Sequence, residues 1–440
     1  MEWWIILFII FGGLVIFMLS GLPIAFCFIM LNMIGAIVLW GGDQGLITLI
    51  DSMFGRATSF LLLPLPLFIL MGEVMYHSGI APLAMDAVAA WLGRIPGRLG
   101  LVAVGAGTLF SNLTGASIAT TAIMGSVLVP EMEARGYKKS MSLGPILGSG
   151  GLAIMIPPSS LAVLVGAVGY ISIGRILMAI IIPGLLMALF YALYIIIRCR
   201  IQPEIAPAYD IDFIPLRKKL DGTLRHILPV GLIFFMVIGF IFLGVATPTE
   251  AAATGCIGAF LLTLAHKRLN WDLVKKAFRG TMKVTIMVTL IIVSADAYGR
   301  LLAFTGVSHG LVEFVSNIPV APIVILIGMQ IVLIIMGMFM SVAAVIMIFL
   351  PLYLPIVTAL NFDLVLFAVM FLLNMEMGTT SPPFGLGLFT MKGVAPKDTT
   401  MGDLYRAALP FLYCDALVLA LLMFFPQLAL WLPNLMRGSQ

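Results

Sequence analysis

The stretches SNLTGAS (Ser111 to Ser117) and GLAIMIPPS (Gly151 to Ser159) have counterparts half a chain later, in GMFMS (Gly337 to Ser341) and GTTSPPFG (Gly378 to Gly385). Ser117 and Ser341 stand 224 residues apart, and Pro130 and Pro355, like Pro157 and Pro382, stand 225 apart. An offset that holds to within one residue across unrelated residue types marks an internal repeat. Each half carries a polar, glycine-bearing break followed by an apolar segment interrupted at a double proline. Matched interruptions in two apolar halves point to a transport site at the bilayer midplane.

The solvent of this chain is lipid. Of its 440 residues 62% are hydrophobic and 10% charged, with a mean hydropathy of +1.16. A soluble domain is near half apolar and a quarter charged. The length allows roughly ten to twelve spans of about 20 residues, which leaves little for a soluble domain. Trp3 to Ser20 lacks the basic flank and small-residue cleavage site of a signal peptide and reads as a first span. Cys27, Cys199, Cys256 and Cys414 are isolated, as are the four histidines, so no zinc or haem pattern is present. No Walker A loop is present to bind ATP. Nor does the net charge of +4 indicate nucleic acid, because the basic residues follow topology.

Of 24 Lys and Arg, 20 fall in five stretches: Arg94 and Arg98; Arg135 to Lys139; Arg198 to Arg225; Lys267 to Lys283; and Lys392 to Arg406. Placing these in the cytoplasm threads the chain with its N-terminus periplasmic. Trp3 to Ser20, Pro23 to Trp40 and Asp43 to Ala57 then match Ile227 to Val245, Glu250 to His266 and Trp271 to Lys283. The first connecting stretch carries Asp43, Asp51 and Arg56, the second four Lys or Arg with Lys267 and Arg268 just ahead of it. Equivalent segments thus face opposite sides, and the halves are inverted repeats. Both connecting stretches are expected to lie flat along the interface.

The expected fold is an all-α polytopic membrane protein. Its first repeat covers residues 1–200, a cytoplasmic linker 201–226 and its second repeat 227–440. Each repeat has scaffold spans, an interfacial helix, a span near Leu61 to Tyr76 or Val284 to Phe304, a re-entrant hairpin and a broken helix. The hairpin follows from length. About thirty apolar and small residues separate Arg98 from Glu131, with SNLTGAS midway, and two full spans do not fit.

A break inside the membrane frees carbonyls for a small cation, and the positive ends of half-helices suit an anion. Ser111, Asn112, Thr114 and Ser117 offer oxygens on the first tip, and Ala153 to Pro158 offers carbonyls that proline cannot engage. Gly337 and Ser341 repeat the tip, and Gly378, Thr379, Thr380 and Ser381 repeat the approach to the prolines. A lone Pro-Pro reads more simply as a kink; duplication at one offset favours a site. Glu73, Asp296, Arg300 and Glu376 are intramembrane ionisable candidates. Arg300 is a candidate substrate-anion contact, although its i, i+4 spacing from Asp296 also suits a structural pair. Glu250 suits a helix N-terminus.

At PLFILMGEVMYHSGI (Pro66 to Ile80), GSGGLAIMIPPSS (Gly148 to Ser160), GVATPTEAAATG (Gly244 to Gly255), GMFMS and NMEMGTTSPPFGLGLF (Asn374 to Phe389), the chain resembles the large membrane subunit of tripartite ATP-independent periplasmic (TRAP) transporters, the DctM-like family. The resemblance runs essentially end to end. It implies an ion-transporter-like fold, an elevator mechanism, and sodium-driven import of an organic anion, commonly a carboxylate, across the bacterial inner membrane. It also implies two partners: a soluble periplasmic binding protein, and a small four-helix membrane subunit that completes the scaffold. Carried over by motif, one sodium site uses Ser111, Thr114, Ala153, Ile156 and Pro158, and the other Gly337, Gly378, Ser381 and Phe384, several through backbone carbonyls. Asn112, Ser117, Arg300, Ser341, Thr379 and Thr380 are substrate candidates. The chain departs from many relatives in having Ser341 where they carry Asp, and Ser381 where they carry Thr. The alternatives are a self-sufficient divalent-anion/sodium symporter and a membrane-embedded enzyme. The latter lacks any HExxH or paired-aspartate pattern here.

Overall fold

A computed structural model of the chain describes residues 2–93, 95–114, 117–207 and 215–436, with side chains except at residues 81, 110–114 and 117–119. Helices account for all regular structure among these residues. In the first half, Trp3–Leu19 and Ile24–Leu39 precede an arm helix, Asp43–Ala57, and then Pro64–His77 and Ile80–Trp91. Two hairpin helices follow, Arg98–Thr114 and Ser117–Ala134. A helix broken between Lys139–Met155 and Ser160–Gly169 leads to Ile173–Ala179 and Ile181–Ile201.

The second half repeats that order. Leu228–Phe242 and Pro248–Ala265 precede Trp271–Phe304 and Val307–Ser316. The second hairpin is Pro322–Phe339 and Val342–Ala359, and the second broken helix is Leu364–Thr380 with Leu386–Val394. Met401–Phe424 and Gln427–Leu435 close the chain. Eight helices among the described residues are long and apolar enough to cross a membrane. The chain is a multi-span membrane protein. Its outward surface is correspondingly apolar, with Phe8, Leu19, Phe60 and Phe235 exposed.

The structure departs from the sequence expectation in two places. The connecting stretch Trp271 to Lys283 is not a separate flat helix; it continues into the following span as one helix of 34 residues. No proline interrupts it. The first-half equivalent is divided, because Ser59 caps a short turn and Pro64 and Pro66 start a new helix without amide donors. Secondly, each half has a further helix ahead of its hairpin, Ile80–Trp91 and Val307–Ser316. Gly79 (φ +65°) and Gly306 (φ +75°) introduce them in the left-handed conformation that closes the preceding helix.

Glycine spacing holds the interior together. Lipid offers helices no hydrophobic gain from association, so contact surfaces depend on close van der Waals approach. On Lys139–Met155 every residue from Met141 onward is buried. A Cβ at Gly148 would lie 2.6 Å from Phe411 Cδ1, and one at Gly144 2.6 Å from the Ala407 carbonyl oxygen. At Gly107 a Cβ would lie 2.6 Å from Ser149 Cβ. Tyr191 donates a buried hydrogen bond to Asp415, which ties Ile181–Ile201 to Met401–Phe424. Asn32 Nδ2 donates to the Ser294 carbonyl at 2.7 Å and joins Ile24–Leu39 to the long helix.

Gly148→Leu is therefore expected to destroy this packing, since overpacking a close-fitted core costs about 1–3 kcal/mol or more. Monodisperse protein recovered in detergent should fall severalfold. Gly231→Leu, at a position with nothing within 4 Å, should leave the yield unchanged.

Candidate ion and substrate site at the broken helices

The first broken helix stops where proline removes a donor. The Ile156 amide donates to the Leu152 carbonyl at 2.9 Å, and Ile156 itself is extended (φ −113°, ψ 119°). The Pro157–Pro158 peptide is cis. The chain re-enters a helix at Ser160 with a 45° change of direction, and the Ser159 hydroxyl accepts from the Ala162 amide at 3.3 Å. Two consecutive prolines leave the last carbonyls of Lys139–Met155 without the amides a continuing helix supplies. Ala153, Ile156 and Pro158 are all buried at this break.

The second break has the same construction. Leu364–Thr380 ends at extended Ser381 (φ −80°, ψ 134°), and the Pro382–Pro383 peptide is cis. Carbonyl oxygens converge on the glycines that follow. A Cβ at Gly385 would lie 2.5 Å from the Thr379 oxygen and 2.8 Å from the Ser381 oxygen, and one at Gly387 2.9 Å from the Thr379 oxygen. The Gly385 amide satisfies Ser381 at 3.1 Å. Gly337, in the last turn of Pro322–Phe339, meets Gly378 backbone to backbone: a Cβ on Gly378 would lie 2.8 Å from Gly337 Cα. Phe384, half exposed, packs its ring 5.4 Å from that of Phe339. Hard oxygen donors around a bare-backbone contact suit a small cation better than a soft metal. Among the described residues no group of three or more His, Cys, Asp or Glu is placed to hold a metal ion.

Gly337, Gly378, Ser381 and Phe384 thus belong to one neighbourhood, and Ala153, Ile156 and Pro158 to the matching break. The side chains of Ser111, Asn112, Thr114 and Ser117 lie outside the described residues. Three other candidates have their hydroxyls engaged locally. Ser341 caps Val342–Ala359 by accepting from the Ala344 amide at 3.4 Å. Thr379 and Thr380 donate to the Glu376 carbonyl at 2.9 and 3.3 Å.

Glu376 is fully buried, and its carboxyl fills the space left by the missing side chain of Gly151, so it lies between the two broken helices. Near it, Asn374 donates to Gln330 across to the hairpin. Sequence reading missed Gln330 and Asn374. The available signal was an amide in each of two otherwise apolar helical runs.

Arg300 stands elsewhere. It pairs with Asp296 at 3.0 Å in the i, i+4 arrangement and lines a cavity of about 680 Å³ with Arg56, Tyr170, Pro351 and Thr358. Among the described residues, that lining includes none of the hairpin tip or the breaks. Glu250 forms a capping box with Thr247, as its position predicts.

Comparison with known proteins follows the same residues. The family model for the tripartite ATP-independent periplasmic transporter, DctM component, matches residues 11–428. The C4-dicarboxylate TRAP transporter large permease protein DctM of Rhodobacter capsulatus is 32% identical over 446 residues, covering 97% of this chain and 99% of that protein. The sialic acid TRAP transporter large permease protein SiaM of Vibrio cholerae is 30% identical, covering 98% of each chain. In structure, the YdaH transporter of Alcanivorax borkumensis aligns with a TM-score of 0.63 at 16% identity, over 90% of this chain and 91% of that one. That likeness concerns the fold.

Gly378→Ala should force the hairpin from the broken helix, because its Cβ meets backbone that cannot rotate away. Solute uptake by the reconstituted transporter should drop at least about tenfold, since small displacements of a positioned site are costly. Gly393→Ala, with nothing within 4 Å, should transport normally.

Proposed function

Because the chain belongs to the DctM component family of tripartite ATP-independent periplasmic transporters, we propose that it is the large permease of a sodium-coupled uptake system for an organic anion. The observation that carries this reading is the duplicated break: carbonyls released at Ile156 to Pro158 and again at Thr379, each beside a hairpin. Ser111, Thr114, Ala153, Ile156 and Pro158 hold one sodium ion. Gly337, Gly378, Ser381 and Phe384 hold the other. The anion is a carboxylate, the substrate class named for the Rhodobacter relative. It faces the amide ends of Ser160–Gly169 and Leu386–Val394, where helix dipoles favour negative charge. Asn112, Ser117, Ser341, Thr379 and Thr380 flank it there, while Arg300, in its separate cavity, is an earlier point of contact for the anion.

Coupling follows from desolvation. Bare carbonyls and a polar tip cannot enter hydrocarbon unsatisfied. A bound cation supplies the missing partner, so the hairpins and broken helices travel as one body only when loaded. The scaffold, Trp3–Leu19, Ile24–Leu39, Leu228–Phe242 and Pro248–Ala265, stays fixed with a small four-helix subunit. Inverted repeats give that body two comparable end positions. A periplasmic binding protein delivers the solute, and the distribution of Lys and Arg supports an inner-membrane orientation with the N-terminus in the periplasm.

With the small subunit and binding protein present, an inward sodium gradient should drive uptake into proteoliposomes, and a proton gradient alone should not. Ser381→Ala removes one buried oxygen with little change in volume. It should raise the sodium concentration for half-maximal uptake several-fold while leaving the protein content of the vesicles near normal. Uptake that follows pH and ignores sodium would overturn the coupling.

A further inference from the structure

Arg56, Tyr170 and Asp296 come from three different elements and meet in one cluster, in which Arg56 and Asp296 are buried and Tyr170 is exposed. Arg56 is in the last turn of the arm Asp43–Ala57, Asp296 is on the long helix Trp271–Phe304, and Tyr170 closes Ser160–Gly169, the second piece of the first broken helix. The Tyr170 hydroxyl donates to Asp296 Oδ1 at 2.6 Å, and Arg56 Nε lies 3.8 Å from the same oxygen. The Arg56 guanidinium lies 4.2 Å over the Tyr170 ring and donates to the Ala167 carbonyl. Arg56 and Asp296 side chains are only 3% and 8% exposed. Arg300, on the solvent side, holds the second carboxylate oxygen at 3.0 Å.

We propose that Tyr170, received by Arg56 and Asp296, is a latch that holds the moving body against the scaffold in one of its two end positions. This rests on the elevator reading above. Within that reading the arm Asp43–Ala57 and the long helix Trp271–Phe304, both packed on the scaffold helix Ile24–Leu39, stay with the scaffold, so Arg56, Asp296 and Arg300 are stationary, whereas Tyr170 and the Ala167 carbonyl move. The three charged groups remain paired when the body leaves, and only the hydroxyl, the ring and the carbonyl contact are lost. A large non-glycine residue at φ 54° is uncommon. The backbone there asks for glycine, so the tyrosine stands there for what its side chain does. The adjoining cavity of about 680 Å³ gives water a way to solvate Asp296 and Arg56 once the contact opens.

The repeat shows that the latch is one-sided. Positions 56, 73 and 77 correspond at an offset of 223 to positions 279, 296 and 300, so Arg56, Glu73 and His77 mirror Arg279, Asp296 and Arg300. Glu73 and His77 pair at 3.3 Å, as Asp296 and Arg300 do. The backbone of Gly280, next to Arg279, packs on the Glu73 carboxyl. Each arm therefore seats on the acid of the other half's span. Tyr170 has no such counterpart. The residue that closes Leu386–Val394 as Tyr170 closes Ser160–Gly169 is Ala395, which has no group to donate. Two pseudo-symmetric end positions thus differ by one hydrogen bond to a carboxylate and one cation–π contact, and the latched position is favoured.

The test measures the populations directly. Spin labels at Val245, in an exposed scaffold turn, and Ala321, at the start of the second hairpin, report the displacement by pulsed dipolar spectroscopy. The full chain is used with its small subunit in nanodiscs, with Cys27, Cys199, Cys256 and Cys414 replaced. Tyr170→Phe keeps the ring over Arg56 and removes only the donor. It should shift the ratio of the two distances by about tenfold, the scale of a hydrogen bond to a charged acceptor. On an Asp296→Asn background the same change should shift it less, because the acceptor is no longer charged. Two distances whose ratio Tyr170→Phe leaves unchanged would overturn the latch and spare the elevator. A single distance in both proteins, with and without sodium, would overturn the elevator and the latch together.

Discussion

The constraint on which the structure depends is that a backbone carbonyl or amide inside lipid must have a partner. Helices satisfy it by continuing. This chain interrupts its helices at two double prolines and packs the helices that lead into them with protein on all sides; the first interruption is itself buried, while the second is exposed at Pro383 and Phe384. Burial of every residue from Met141 to Met155 and of Val365 to Thr380 follows from that choice. The glycines that let Phe411 and Glu376 approach Lys139–Met155, and let Ser149 of that helix approach Arg98–Thr114, are the means of enclosing the break.

The same constraint divides labour between the halves of each repeat. The helices that open each half face outward with large apolar side chains, and polar contacts such as Asn32 with Ser294 join them to the rest. The hairpins and broken helices hold the polar interior: Gln330 with Asn374, Glu376, and Thr379 and Thr380 in local bonds. Polar groups are gathered in that interior, where Asn374 Nδ2 and Gln330 Oε1 satisfy one another and Gln330 Nε2 and Asn374 Oδ1 stay unbonded.

Much of this was legible in the residues. The double prolines and their constant offset located the breaks, because proline acts locally and without regard to context. Length alone required a hairpin between Arg98 and Glu131. What sequence did not disclose were contacts across the fold. Arg56 looked like a stray cation in a basic-poor stretch until the arm folded onto Asp296. Gly151 and Glu376 are 225 residues apart in sequence, and only packing reveals that one fills the gap left by the other. The continuous helix from Trp271 was misjudged for a different reason. Amphipathic and apolar stretches were read as separate elements, while helix continuity is decided by backbone donors, which no proline removes there.

That continuous helix has a mechanical consequence. Thirty-four residues make a rod of about 50 Å, longer than the roughly 30 Å of hydrocarbon in a bilayer. About 20 Å of it must lie beyond the acyl region or slant within its border. A rod clamped in the core converts any push on its protruding end into tilt of the buried end, and that end carries Asp296 and Arg300. The divided counterpart, with its joint at Thr58 to Leu63, absorbs such a push by bending. Thickness or lateral pressure therefore acts on this molecule through a stiff lever at one face and a compliant one at the other.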